Sequence, residues 1–303
     1  MTPARIVTWI KIMRLWSLTA SSVPILAGAA LAAADGTFSW VMLALTLACG
    51  CSLHVATNLL NSYGDYVSGV DRDAEMVTVT APQLLTGELK PAAVFRLAIG
   101  ILIAASALAA VIVVLSDWRL IWFAVPGILG CGFYTTGIRF KYLGLGVPAV
   151  FVLAGVLLVG ASYFAQARAL TWAAVVVSFP ISCLVSALLL GNDLRDMSSD
   201  REVAIKTTAL FLGARGARTL FYALHLLPYA GVAWAVAAGV LPKGCLLTLL
   251  AAPLTFGVVK ATHNGFRLGD RAQIEKLEGM TAGTHFAFGL LVVTGLVLKT
   301  FFK

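Results

Sequence analysis

Residues 171–200 read TWAAVVVSFPISCLVSALLLGNDLRDMSSD. The first 21 of these letters form an apolar run about as long as a membrane span, and it ends in Asn192, Asp193, Asp196 and Asp200. Carboxylates clustered beside a bilayer core are costly unless they bind something. The stretch therefore predicts a transmembrane helix that delivers a ligand-binding acidic cluster to one end of the membrane.

The same arrangement occurs earlier in the chain, where residues 39–73 read SWVMLALTLACGCSLHVATNLLNSYGDYVSGVDRD. In both stretches an asparagine precedes an aspartate by four positions, as Asn61 precedes Asp65 and Asn192 precedes Asp196. That spacing places both side chains on one face of a helix. The two acidic ends hold six of the 14 acidic residues of the chain. Such a repeated pattern favours a binding site over scattered solvated charges.

The composition fixes the class of protein. The chain of 303 residues is 60% hydrophobic and 12% charged, with a mean hydropathy of +0.92, which excludes a soluble globular domain. The prediction is an all-α polytopic membrane protein that forms a single domain over residues 1–303. Its nine predicted spans are residues 15–34, 39–60, 92–115, 119–136, 147–166, 171–191, 219–240, 243–262 and 283–301.

The net charge of +8 resembles a nucleic-acid signal until it is mapped onto the spans. With the amino terminus in the cytoplasm, 17 of the 22 basic residues fall in cytoplasmic segments. This asymmetry obeys the positive-inside rule, so the lipid bilayer accounts for the charge and no nucleic-acid partner is expected. The same orientation places both acidic clusters on the cytoplasmic side.

The two motif-bearing spans are four spans apart, which predicts an internal four-helix repeat. Parallel repeats about an axis along the membrane normal would bring the two clusters face to face. Two such clusters suit Mg²⁺ carrying a diphosphate, because Mg²⁺ takes a few carboxylates and completes its shell with substrate oxygens and water. We call Asn61, Asp65 and Asp71 the first motif, and Asn192, Asp193, Asp196 and Asp200 the second motif. All seven are predicted to hold metal, and Asp65, Asp71, Asp196 and Asp200 are predicted to be catalytic.

A diphosphate leaving group also needs hydroxyl and basic groups that grip its oxygens. The short link after the fourth span supplies Tyr134, Arg139 and Lys141, and the other predicted diphosphate-binding residues are Arg72, Arg195 and Lys206. If the carbon behind the diphosphate is allylic, its bond to oxygen can ionise to a stabilised carbocation. An apolar cavity within the membrane would shield that cation from water.

With these residues in view, the chain resembles the UbiA superfamily of intramembrane prenyltransferases. The first and second motifs look like the two Asp-rich motifs of the superfamily. Tyr134-Thr135 followed by Lys141-Tyr142-Leu143-Gly144-Leu145-Gly146 is similar to a segment of the branch that makes menaquinone, and His285 with Phe288-Gly289-Leu290-Leu291 resembles its last span.

The resemblance implies nine helices around a central cavity and Mg²⁺-dependent ionisation of a polyprenyl diphosphate. An aromatic acceptor, above all 1,4-dihydroxy-2-naphthoate, would then attack the cation. It also implies a bacterial inner membrane, with the amino terminus and the active site on the cytoplasmic side.

Departures from the pattern of the family bear on the acceptor. The first span opens with Arg14-Leu15 in place of Arg-Pro, Ser62 replaces a frequent aspartate, and Val147-Pro148 follows the glycine segment. The alternative acceptors are therefore 4-hydroxybenzoate and homogentisate.

A different class of protein, an ion-coupled secondary transporter, also uses paired Asn and Asp sites in membranes. A transporter would place them near the midplane, whereas here they follow the cytoplasmic ends of their spans.

Overall fold

A computed structural model describes residues 3–71 and 81–301, so Arg72 and Asp73 lie outside the described residues. The described residues are almost entirely helical and include no strand, apart from one isolated bridge between Leu143 and Lys206. The predicted all-α class is confirmed.

The α-helices are α1 Pro3–Met13, α2 Thr19–Ala34, α3 Trp40–Val67, α4 Pro82–Leu85, α5 Pro91–Leu115, α6 Ile121–Phe133, α7 Gly146–Val150, α8 Leu158–Ala167, α9 Trp172–Glu202, α10 Thr208–Ala237, α11 Ala252–Leu268, α12 Arg271–Glu275 and α13 Leu277–Phe301. The 3₁₀ segments are Leu15–Leu18, Trp118–Leu120, Phe140–Tyr142 and Lys243–Ala251. A π-helical stretch, Phe151–Leu157, joins α7 to α8. Some of these segments run end to end and form one continuous helical rod. The rods are therefore fewer than the segments.

Eight rods in the described part of the chain are long and apolar enough to cross a membrane, and Trp118–Phe133 is a shorter apolar helix. These rods correspond to the nine predicted spans. Large apolar side chains such as Val114 and Trp122 are exposed on the outside of the bundle, at 84% and 70% of their full exposure. Such a surface suits lipid, so the chain is an integral membrane protein.

The helices that carry the motifs extend beyond their apolar runs. Helix α9 has 31 residues and continues to Glu202, so the whole second motif is helical and lies beyond the end of the predicted span 171–191. Helix α3 has 28 residues and carries Asn61 and Asp65, while Asp71 follows its end. A 31-residue helix is about 46 Å long, against a hydrocarbon core of about 30 Å, so the last turns project beyond the apolar layer. We call this end of the bundle the motif end.

Close helix contacts shape the interior around α2, α8 and α9. A Cβ at Gly28 would lie 2.5 Å from the carbonyl oxygen of Val159, so α2 and α8 approach at a distance that only glycine allows. A Cβ at Gly155 would likewise collide with Ser182 of α9. Each motif helix packs along the next long helix, α3 on α5 and α9 on α10. This correspondence agrees with the predicted four-helix repeat, which stays a prediction.

Candidate active site

A cavity of about 660 Å³ opens among the helices and is bordered by residues of both motifs. Its motif-end wall holds Asn61, Asp65 and Asp71 on one side and the four residues of the second motif on the other. The two Asp-rich segments, distant in sequence, are therefore brought to one chamber, as the repeat had predicted.

Below the motifs the cavity becomes apolar and continues far into the bundle. Along α3 its lining extends from Asp65 to Thr46, positions about 28 Å apart at the rise of an α-helix. The deep wall is made of small and aliphatic side chains and one phenylalanine, including Ala109, Ile112, Leu120, Phe123, Leu153 and Leu157. The chamber thus combines a charged mouth with a long apolar interior.

Asp65 is the most enclosed carboxylate of the first motif, with a side chain only 1% exposed. The Lys141 ammonium donates to its two oxygens at 3.0 and 3.1 Å and to the Asn61 amide oxygen at 3.2 Å. The Tyr142 hydroxyl donates to the same carboxylate. Burial, and then the charge of Asp65, raises the pKa of Tyr142 well above its usual value, so this phenol stays neutral and able to donate.

The link between α6 and α7 reaches the motif because it packs tightly on α3. A Cβ at Gly64 would lie 3.1 Å from the Thr135 carbonyl oxygen, and the Lys141 amide donates to the Tyr134 carbonyl oxygen at 3.0 Å. Gly64, one residue before Asp65, therefore lets the link settle against the helix. This contact carries Tyr134 and Lys141 into the cavity lining.

Asp71 is held close to Asp65 although it lies beyond the helix. Its amide N–H donates to the Asp65 carbonyl oxygen at 3.3 Å, after a turn at Gly69 with φ of 71°. Its own carboxylate accepts from the Ala81 amide at 3.4 Å and is 7% exposed. The chain thus folds back so that both carboxylates of the first motif border the chamber.

The second motif is held from three directions. Arg195 makes two hydrogen bonds to Asp196, at 2.6 and 2.8 Å, and a third at 2.9 Å to Glu278 of α13. Asp193 faces the backbone amides of Thr208 and Ala209 at the start of α10, where a helix favours negative charge. Asp200 lies beside the Thr207 hydroxyl.

Two observations indicate that the first and second motifs can bind the same ligand in the cavity. The positive charge of Lys141, which contacts Asp65, also acts on Asp193 and Asp200. The Asn192 amide oxygen lines the same cavity and is buried without a hydrogen-bond partner among the described residues. A buried amide oxygen is costly when it is left unpaired, so this one is suited to a ligand.

The donor set fits Mg²⁺ that is shared with a substrate. Within residues 3–71 and 81–301 no three carboxylate, thiol or imidazole groups converge tightly enough to form a protein cage. Mg²⁺ seldom needs one, because it binds through one or two carboxylates and completes its octahedron with water and phosphate oxygens. The carboxylate and amide oxygens of both motifs supply those few ligands.

The five predicted diphosphate-binding residues that the structure describes separate into two groups. Tyr134, Lys141 and Arg195 line the cavity. Arg139 and Lys206 have exposed side chains and are not part of the described lining, and Arg139 adopts a positive φ of 58°. Arg72 lies outside the described residues, so its part in the site stays a prediction.

Several cavity residues were missed by sequence reasoning. His54, Asn58, Asn61 and Asp65 follow one another at spacings of four, three and four. This spacing places them on one polar face of an otherwise apolar helix, and the periodicity can be recognised from the sequence alone. Ser17 and Ser21 hydrogen-bond to this face and line the cavity with it, and Arg14 is a further lining residue. Glu278 also lines the cavity and carried no comparable signal, because its place in the site depends on a tertiary contact with Arg195. Tyr142, which donates to Asp65, stood in the quoted segment but was given no role.

Comparison with known proteins agrees with this geometry. Residues 21–291 match the model of the UbiA prenyltransferase family. The chain is 30% identical to "1,4-dihydroxy-2-naphthoate octaprenyltransferase" of Bacillus subtilis (strain 168), with 96% of this chain and 92% of that protein covered. It is 29% identical to human "UbiA prenyltransferase domain-containing protein 1", with 96% and 83% covered.

Solved structures share the fold. A UbiA homolog from Aeropyrum pernix K1 superposes with a TM-score of 0.66 at 18% identity, covering 92% of this chain and 97% of that one. A UbiA homolog from Archaeoglobus fulgidus, solved with GPP and Mg²⁺, gives a TM-score of 0.63 at 17% identity, covering 94% and 99%. The family match over most of the sequence establishes that the chain belongs to the UbiA prenyltransferase family and is a prenyltransferase.

Proposed function

We propose that the protein transfers a polyprenyl group from a polyprenyl diphosphate to an aromatic acceptor in a Mg²⁺-dependent reaction, with 1,4-dihydroxy-2-naphthoate as the acceptor. One observation carries the proposal: both Asp-rich motifs and Lys141 face the mouth of a cavity whose interior is apolar. A charged mouth suits a diphosphate, and a long apolar interior suits an isoprenoid chain. The name of the Bacillus subtilis relative supports the acceptor, and the bound state of the Archaeoglobus fulgidus structure supports the donor class and the metal.

The chain's own residues act on the diphosphate as its bond to carbon breaks. Negative charge grows on the leaving oxygen, so a cation beside it stabilises the transition state more than the bound ground state. Lys141 is suited to this role because its ammonium contacts Asp65 of the first motif and lines the cavity that the second motif borders. Tyr134 supplies a hydroxyl group at the same mouth, and Tyr142, kept neutral, donates its hydroxyl to Asp65. Mg²⁺ held by the carboxylates of the two motifs would supply further neutralisation of the diphosphate charge.

The apolar interior protects the allylic cation until the acceptor attacks. Water is excluded by the aliphatic wall, and the prenyl chain extends along that wall toward Ile112. Attack by the ring carbon that bears the carboxylate forms the new carbon–carbon bond, and CO₂ leaves with both electrons of its bond returning to the ring. Arg14, on the cavity wall before the first span, is suited to hold that carboxylate before it departs.

The acceptor is tested by incubating purified protein with geranylgeranyl diphosphate, Mg²⁺ and one candidate at a time. The candidates are 1,4-dihydroxy-2-naphthoate, 4-hydroxybenzoate and homogentisate, and products are identified by mass spectrometry. We expect prenylated and decarboxylated naphthoate with one diphosphate released per product. Product from 4-hydroxybenzoate or homogentisate alone would make that compound the acceptor, and no product with any of the three would refute the proposed transfer to these aromatic acceptors.

The orientation is a separate prediction, namely an inner membrane with the amino terminus and the motif end facing the cytoplasm. Ser68 and Ser198 are exposed at the motif end, next to the first and second motifs. Cysteine placed at either position, in a variant without the native cysteines, should react with an impermeant thiol reagent only when the cytoplasmic face is open to it. Labelling of either position from the outside in intact cells would overturn the orientation.

A further inference from the structure

Below the metal-binding level, one wall of the cavity is polar. On α3, Asn58 and His54 follow Asn61 into the bundle, about 4.5 and 10 Å deeper at the rise of an α-helix. Ser17 and Ser21 face them from the 3₁₀ segment Leu15–Leu18 and from α2. All four line the cavity. In the proposed reaction this wall lies about one helical turn below the diphosphate, at a level from which an acceptor ring reaches the allylic carbon.

The orientation of Asn58 is fixed by a carbonyl group. Its Nδ2 donates to the Met13 carbonyl oxygen at 3.1 Å and to Ser17 Oγ at 3.1 Å. A carbonyl oxygen accepts only, so the amide nitrogen must point toward it and Oδ1 must point the other way. Within the described part of the chain, Oδ1 of Asn58 has no hydrogen-bond partner.

The hydrogen-bond directions through His54 follow from Ser17. Ser17 Oγ donates its proton to the Arg14 carbonyl oxygen at 2.8 Å. The contact of 3.1 Å between Ser17 Oγ and His54 Nε2 therefore requires Nε2 to carry the proton. In the neutral ring Nδ1 is then an acceptor, and Ser21 Oγ donates to it at 2.6 Å.

At Ser21 and Asn58 these directions leave hydrogen-bond acceptors. Ser21 Oγ has used its proton on His54 and keeps lone pairs, and Asn58 offers Oδ1. A ligand group that binds at these two residues must therefore donate. A phenolic hydroxyl satisfies the wall, whereas a quinone oxygen or a methyl ether would leave buried acceptors unpaired.

We propose that Ser21 and Asn58, held in place by His54 and Ser17, form the subsite that receives a hydroxyl group of the aromatic acceptor. The subsite rests on the proposed function, and it selects the reduced, hydroxyl-bearing form of the acceptor. Ser21 and Asn58 contact the hydroxyl, while His54 is a positioning residue because it acts through Ser21.

The test compares 1,4-dihydroxy-2-naphthoate with its two monomethyl ethers, 1-methoxy and 4-methoxy. The wild-type protein should lose about tenfold in kcat/KM for the ether whose methyl group blocks the hydroxyl at the wall. Ser21→Ala should lower kcat/KM for the dihydroxy compound by a similar factor and reduce the discrimination against that ether. The KM for geranylgeranyl diphosphate should stay unchanged, which also reports that the variant is folded.

Two further variants separate recognition from structure. Ser22→Ala is the matched control, because Ser22 adjoins Ser21 on the same helix and is not among the described lining residues; it should behave as wild type. Ser21→Thr keeps a hydroxyl group and should restore discrimination.

The proposal is overturned if wild-type protein turns over both ethers as well as the dihydroxy compound, a result that needs no variant. It is also overturned if Ser21→Ala keeps wild-type kcat/KM and discrimination. The ether comparison uses whichever phenolic acceptor the enzyme accepts. Failure to prenylate any acceptor refutes the proposed function, whereas equal use of phenol and ethers refutes the subsite alone.

Discussion

Asp65→Asn and Asp196→Asn should each lower the rate of prenyl transfer at least a hundredfold. Loss of a few kcal/mol of transition-state stabilisation is typical when a metal site loses a charged ligand, and about 1.4 kcal/mol corresponds to a factor of ten. Asparagine also cannot balance Lys141, whose ammonium lies 3.0 Å from an Asp65 oxygen, or Arg195, which grips Asp196 with two hydrogen bonds. The measurement is the initial rate at saturating donor, acceptor and Mg²⁺.

Each variant needs evidence that it is folded, because breaking a buried ion pair can itself destabilise the protein. Thermal unfolding in detergent and elution as a single species provide that evidence. Asp270→Asn is the matched control, since Asp270 is exposed in the link between α11 and α12 and should leave the rate unchanged. Wild-type rates in either motif variant would refute the assignment of these carboxylates.

Lys141→Ala is expected to have the second largest effect. The ammonium should stabilise the departing diphosphate more than the bound one, so kcat should fall and the donor KM should rise. The KM for the aromatic acceptor should change little, because the polar wall at Ser21 and Asn58 lies deeper in the cavity. Steady-state rates in nanodiscs, with each substrate varied separately, measure these constants.

Arg139→Ala provides the comparison within the same link. Arg139 lies two positions before Lys141, but its side chain is exposed and is not part of the described cavity lining. The Arg139→Ala variant should therefore lose much less activity than the Lys141→Ala variant. If both variants retain the wild-type kcat and donor KM, these cations serve topology alone, and the diphosphate contacts must lie at Arg195, Lys206 or Arg72.

The spans and the meeting of the motifs were predictable from sequence because both rest on strong local patterns. A long apolar run fixes a membrane helix, and the repeated Asn–Asp spacing fixes a shared helix face. The end of α9 was less predictable, since polar residues such as Asp196 and Ser199 weaken a hydropathy signal without ending a helix. Arg195 of this end hydrogen-bonds to Glu278 of α13, and Asp193 faces the first amides of α10, so tertiary contacts support these turns.

The sequence could not predict that Lys141 lines the cavity while the side chain of Arg139 is exposed. Both are cations in one short glycine-containing link, and only the backbone path decides which one enters the cavity. A positive φ at Arg139 and the close approach at Gly64 set that path. The polar face of His54, Asn58, Asn61 and Asp65 was different, because its helical periodicity could have been recognised before any coordinates existed.

The most direct test of the account measures prenylated product and released diphosphate together in nanodiscs that contain the purified protein. Geranylgeranyl diphosphate and 1,4-dihydroxy-2-naphthoate are supplied with Mg²⁺, or with excess chelator. We predict equal amounts of product and diphosphate with Mg²⁺, and almost none of either with chelator. Undiminished product in chelator would contradict the role of the two motifs, and diphosphate release without any prenylated product would contradict transfer to the aromatic acceptor.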